Sequence, residues 1–226
     1  MQKHKYILLV AFIVGFVTLS HSQHRRYAIK NGIGIQGGIT QFDIITDNFE
    51  TTASSGWIGG LNATVDLPHK WYTVSYSMLL SENNLEILGR MTDDVAGNEA
   101  LEYKLMTVQV GFTFHTKIIS DNLTIDIGPQ LQYNGKMDLT NSTQESFYVN
   151  GYDNVLATDI SEISQFNVNG MVGASLGFGA FKVRAQYIYG FTNMLNKLND
   201  AEFAKGLNTK FKGNQSMIAV TAMLTF

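Results

Sequence analysis

The sequence predicts an all-β fold, a transmembrane antiparallel up-and-down β-barrel of eight strands preceded by an export signal. Three observations carry this. Apolar and polar residues alternate with period two over eight separate stretches, each long for a soluble strand. Beyond the N-terminus no stretch is apolar for long enough to form a membrane-crossing helix. The connections alternate between short and long, the asymmetry of barrels that cross a membrane.

The N-terminus reads as a secretory signal. Lys3 and Lys5 are followed by an apolar run from Tyr6 to Leu19. Ser20 and Ser22 then place small residues at −3 and −1 of a cut before Gln23. That run is shorter than the roughly 20 residues a spanning helix needs. Residues 1–22 are therefore the expected signal peptide, 23–30 a short lead, and 31–226 the barrel domain. Composition agrees. There is no cysteine, charged residues make up 15%, and the formal net charge is −3. Without cysteine there are no disulfides, no thiol catalysis and no lipid-anchored N-terminus. A mildly acidic chain without a basic stripe gives nucleic acid no footing.

The first strand, Asn31–Phe42, is glycine-rich, with Ile33, Ile35 and Ile39 on its apolar face. The second, Gly56–Leu67, alternates most cleanly. Trp57, Leu61, Ala63 and Val65 point one way, and Ile58, Asn62, Thr64 and Asp66 the other. In the third, Tyr72, Val74, Tyr76, Met78 and Leu80 oppose Thr73, Ser75 and Ser77. The fourth sets Met106, Val108, Val110, Phe112 and Phe114 against Thr107, Gln109, Thr113 and His115. The fifth sets Leu123, Ile125, Ile127, Leu131 and Tyr133 against Thr124, Asp126, Gln130 and Gln132. Phe166–Phe178, Phe181–Phe191 and Ile218–Phe226 complete the eight. Short turns are expected at Pro68–Lys70, Thr116–Asn122 and Gly179–Ala180. Long polar loops are expected at Asp43–Ser55, Ser81–Ala100, Asn134–Gln165 and Thr192–Gly213. Parts of the second and third of these loops could extend the strands, and a ten-stranded count through them is the alternative topology. Trp71, Tyr72, Phe178, Phe181 and Phe226 flank the short turns, while Trp57, Tyr133, Tyr189 and Phe191 lie near the long loops. Two interfacial aromatic belts follow.

A soluble barrel would alternate as well, but it would turn the apolar face inward. A small interior cannot hold this many Phe, Tyr and Leu side chains, and the opposite face of Gly, Ser, Thr, Asn and Gln makes a poor dry core. Polar side chains inside and apolar side chains outside resolve both difficulties, and closure pairs the backbone within the lipid.

The chain then resembles a known family. The glycine-rich first strand, the segment Asp126-Ile-Gly-Pro-Gln130, the strand end Tyr187-Ile-Tyr-Gly-Phe-Thr-Asn193 and the terminal aromatic are similar to those of the PorT-like outer-membrane β-barrel family of the Bacteroidota, over roughly Asn31–Phe226. Short turns on the periplasmic side and an even strand count place both termini in the periplasm, and the resemblance implies the same outer-membrane address in a Gram-negative cell. It implies insertion by the barrel-assembly machinery through a signal ending at Phe226, and an association with secretion of surface proteins.

Eight strands enclose a lumen just wide enough for side chains to fill. Alternation aims Asp66, His115, Asp126, Lys182 and Arg184 inward near the short turns, as a structural ionic cluster, for instance Asp126 with Arg184. No histidine is expected near the long loops, which removes a Ser–His pair from the outer rim. No catalytic, cofactor or metal site is expected; Met171, Met217 and Met223 read as lumen gap-fillers. The function expected is a non-enzymatic membrane-embedded structural or interaction scaffold, touching lipid and meeting a surface or secretion partner through loops 81–100 and 134–165. The alternatives are a narrow channel or transport-associated barrel and, third, a lipid-modifying enzyme.

Overall fold

The structure is a computed structural model that describes residues 29–91, 97–207 and 209–226. The expected signal peptide and most of the lead lie outside the described residues. Eight long strands form the wall: β1 (Lys30–Thr46), β2 (Thr51–Asp66), β3 (Tyr72–Arg90), β4 (Glu99–Ile119), β5 (Leu123–Leu139), β7 (Phe166–Phe178), β8 (Phe181–Gly190) and β9 (Gly213–Thr225). A two-residue strand, β6 (Tyr148–Val149), pairs with the far end of β3. Every wall strand is antiparallel to its neighbours, and β1 pairs with both β2 and β9, so the ring closes. Lys30 opposite Asp66 and Gly34 opposite Thr225 put both ends of the barrel domain at the short-turn end.

Side chains face the way alternation predicts. Leu61 and Ile125 are exposed on the outer wall, and their neighbours Asn62 and Asp126 are buried inside. The apolar outer run on β3, Tyr72 to Leu80, rises roughly 27 Å along the strand at ~3.4 Å per residue. At the ~40° tilt usual for such barrels that is about 21 Å along the axis, close to the ~25 Å apolar band of a membrane barrel.

Above this band the strands continue, and the chemistry of the two faces exchanges while the phase does not. On β4 the odd-numbered residues point inward throughout. Thr107, Gln109, Thr113 and His115 fill the lower lumen, but Leu101, Tyr103 and Leu105 fill the upper one. Outward, Met106 and Val108 give way to Glu102 and Lys104. The same exchange occurs on β1, where Gln36 and Thr40 are followed inward by Phe42 and Ile44, and on β3, where Leu85 and Ile87 follow Asn83. The upper third is thus an ordinary soluble barrel with a dry core, set on a membrane-type barrel with a polar lumen.

Two of the expected long loops are therefore mostly strand. The β1–β2 connection shrinks to Asp47–Glu50, and β3 and β4 pair as far as Gly89 opposite Glu99. The expected boundaries fall short because they end where the outward residues turn polar, although alternation carries on. Among the described residues the ten-stranded alternative does not form.

The remaining loops close the top. Val155, Ala157, Ile160 and Ile163 descend from the β5–β7 connection, and Met194, Leu195, Leu198 and Phe211 from the β8–β9 connection, all into the apolar core. Tyr152 stacks on Phe211 with ring centroids 5.6 Å apart. Arg90 anchors that loop through Asp153 at 2.8 Å and the Tyr152 carbonyl at 2.8 Å. Outside, Glu162 joins Lys136 at 2.8 Å and Lys197 at 2.6 Å, tying β5 to both loops.

Candidate functional site: the ionic girdle of the lower lumen

Asp126 is the centre of the lower lumen, with no exposed surface. It lies on β5 directly opposite His115 of β4. On its other side β7 supplies Ser175, whose cross-strand partner on β8 is Arg184. Period two turns all four inward at one height. Asp126 Oδ1 accepts from His115 Nδ1 at 2.7 Å and from Thr124 Oγ1 at 2.7 Å. Asp126 Oδ2 accepts from the Ser175 hydroxyl and meets Arg184 Nε at 3.1 Å. Arg184 Nε also lies 3.0 Å from Ser175 Oγ. On β3, Ser75 Oγ is 2.7 Å from His115 Nε2. With Nδ1 donating to Asp126, a neutral ring accepts the Ser75 hydroxyl proton at Nε2 and a protonated ring donates from it. The result is a girdle across β3, β4, β5, β7 and β8 that fully satisfies a carboxylate out of bulk water. A buried charge requires this kind of saturation.

The girdle contains a Ser75–His115–Asp126 chain with the connectivity of a hydrolytic triad. Sequence reasoning removes a Ser–His pair from the outer rim; the structure forms one at the opposite end. Its surroundings are those of a structural bond. Ser75 is 3% exposed. It pairs with Thr64 on β2 and Thr113 on β4, so its strand is committed to ladders on both sides. It does not line the cavity below the girdle. An oxyanion hole needs amides aimed at an open site beside the nucleophile; the Ser75 strand is committed to two ladders, while His115 reaches the cavity below.

Three of the five residues expected inside, His115, Asp126 and Arg184, thus meet. Asp66 belongs to a second cluster nearer the turns, where Lys117 bridges it at 2.7 Å and Asp121 at 2.8 Å, and Thr73 Oγ1 donates to Asp66 at 3.0 Å. Lys182 joins neither and faces the cavity below. Sequence reasoning misses Lys117 because Thr116–Asn122 reads as a turn. The odd-numbered phase of Thr113 and His115 continues to it and is the signal that finds it.

Above the girdle the lumen is amide and hydroxyl. Thr40, Asn83, Ser81, Thr107 and Gln109 form one hydrogen-bonded group. Gln132 bonds Asn134 and Gln215, each at 2.6 Å, and accepts from Asn169 at 2.9 Å. Met171 and Met217 fill gaps there, while Met223 lies lower and lines the cavity beneath the girdle, all three buried.

No protein-family model matches the chain, and no curated protein does. Several solved structures resemble it, among them two bacterial surface proteins. Neisserial surface protein A is 12% identical, with 86% of this chain and 97% of that one covered at a TM-score of 0.48. Ail, the attachment invasion locus protein of Yersinia pestis, solved with the heparin analogue sucrose octasulfate, is 12% identical, with 87% and 99% covered at a TM-score of 0.44. Both are eight-stranded outer-membrane barrels.

Proposed function

We propose that this chain is a non-enzymatic outer-membrane β-barrel of a Gram-negative bacterium, a membrane-embedded scaffold whose closed, rigid top presents the loops outside the cell. The observation that supports it is the exchange of side-chain chemistry at one height around the wall. Below that height the exterior is apolar and the interior polar, which only a hydrocarbon surround favours. Above it the preference reverses, as water outside demands. The short-turn end, with the N-terminal end of β1 and Phe226, then faces the periplasm.

The same reading takes the terminal Phe226, exposed at the rim with its amide bonded to the Ile33 carbonyl at 2.8 Å, as the signal for the barrel-assembly machinery. Membership of the PorT-like family of the Bacteroidota, and a surface or secretion partner meeting loops 81–100 and 134–165, are part of this proposal. The aromatics of the second loop are mostly spent on closure, since Tyr152 is buried and Phe147 is half-buried against the core. A partner would therefore read the exposed Asn141–Thr143 side of that loop. An apolar plug over the polar lumen argues against a steady pore.

Cell fractionation with gel mobility of unboiled and boiled samples tests the proposal. Recovery in the outer membrane with a heat-modifiable band is expected. Recovery in the soluble periplasm with unchanged mobility would overturn it. Planar-bilayer recording should show no steady conductance, and sustained ion flow would favour a channel instead.

A further inference from the structure

Below the ionic girdle the lumen widens into a cavity of about 440 Å³. Of the inward glycines near the short turns Gly32 lines this cavity, and a Cβ there would strike Thr225. Its lining includes Ser120, Gly179 and Phe226, which belong to the turns and the chain terminus, so its mouth is at the short-turn end. Its roof is the girdle, and the apolar plug lies above that. It is a blind pocket rather than a passage.

Three carboxylates, Asp66, Asp121 and Asp126, balance three cations, Lys117, Lys182 and Arg184, around it, but they are engaged unevenly. Asp66 and Asp121 share Lys117. Asp126 is saturated by four donors in the roof. On the opposite wall Arg184, 5% exposed, engages Asp126 and Ser175 through Nε alone, which leaves its terminal amino groups toward the cavity. Lys182, two residues away on the same inward face, forms no ion pair among the described residues. Two positions along a strand are ~7 Å apart, so the two cations flank a space that one small anion can bridge. A cation held in a confined lumen is stabilised by a counter-charge.

We propose that this vestibule binds a small oxyanion, a phosphate or carboxylate group of a molecule arriving from the short-turn side, between Lys182 and the terminal amino groups of Arg184. The site rests on the fold of the lower lumen and stands apart from the reading of the barrel's cellular address. The full chain, refolded in zwitterionic micelles and verified by gel mobility, is titrated calorimetrically with inorganic phosphate and, separately, with succinate, at ionic strength fixed by sodium chloride. Saturable one-to-one binding of at least one anion is expected. Phosphate alone would assign a phosphate group, and succinate alone a carboxylate. Lys182→Met should weaken it by about tenfold or more. Lys182→Arg should retain it, and Lys205→Met, on a distant loop, should leave it unchanged. Absence of saturable binding to either anion overturns the proposal. So does wild-type affinity in Lys182→Met, or in Lys182→Gln should the methionine variant fail the mobility check.

Discussion

At the scale of single residues, Asp126 carries the lower lumen. Four side-chain donors converge on it, and its removal strands Arg184. Asp126→Asn should lower the unfolding free energy of the refolded barrel by about 3–5 kcal/mol, because a buried cation loses its counter-charge. Thr124→Val, which deletes one of several donors, should cost only about 1 kcal/mol. Urea midpoints in micelles check both, and Arg184→Ala should lower the melting temperature on the same gel-mobility assay. Outside the membrane band, Lys136 and Lys197 hold the Glu162 carboxyl down at about 2, against an ordinary 4.5. A depressed folded pKa stabilises above the unfolded value and loses that effect as pH falls through the folded one. The tie between β5 and the two upper loops should therefore loosen between about pH 4.5 and pH 2. Protection factors in residues 158–164, with each exchange rate referred to the intrinsic rate at the same pH, should fall over that window in the wild type, and Glu162→Gln should abolish that fall.

At the scale of the element, β4 shows why strand phase and strand environment are separate properties. Its odd residues face inward from Leu101 to His115, because alternation is a property of the extended backbone. What changes is the solvent on the other side of the wall. Val108 and Glu102 point the same way from the same strand, yet Val108→Lys should cost about 2–4 kcal/mol of folding into vesicles. Glu102→Lys, above the band, should stay within about 0.5 kcal/mol. Equal costs at the two positions would mean that no hydrocarbon boundary lies between them. This separation also explains what can be read in advance. The membrane pattern is legible as far as Leu80 and Met106, where outward residues are apolar. The extensions to Arg90 and Glu99 read as loop because their outward residues are charged, even though the inward Leu85, Ile87, Leu101 and Tyr103 keep the strand period.

For the whole molecule the decisive feature is the stacking of two interiors in one ring. Buried Phe42, Leu105 and Met137 sit above a layer of Gln and Asn, and the two long loops complete the apolar layer from outside the strands. Leu105→Ala should destabilise the barrel by about 2–5 kcal/mol, measured by urea titration, without creating a pore, since the girdle still closes the lumen below. By itself the chain's order of residues determined the phase of the wall strands and the inward placement of Asp66, His115, Asp126, Lys182 and Arg184, because these depend only on neighbours two positions apart; the choice of eight wall strands over ten came from the pairing of β3 with β4 along their full length. Only the tertiary structure decided that Ser75, His115, Asp126, Ser175 and Arg184 share one height, that Asp66 turns instead to Lys117, and that the upper loops fold inward as a plug. Those outcomes depend on interstrand register and ring closure, which join residues tens of positions apart and leave no local period to read.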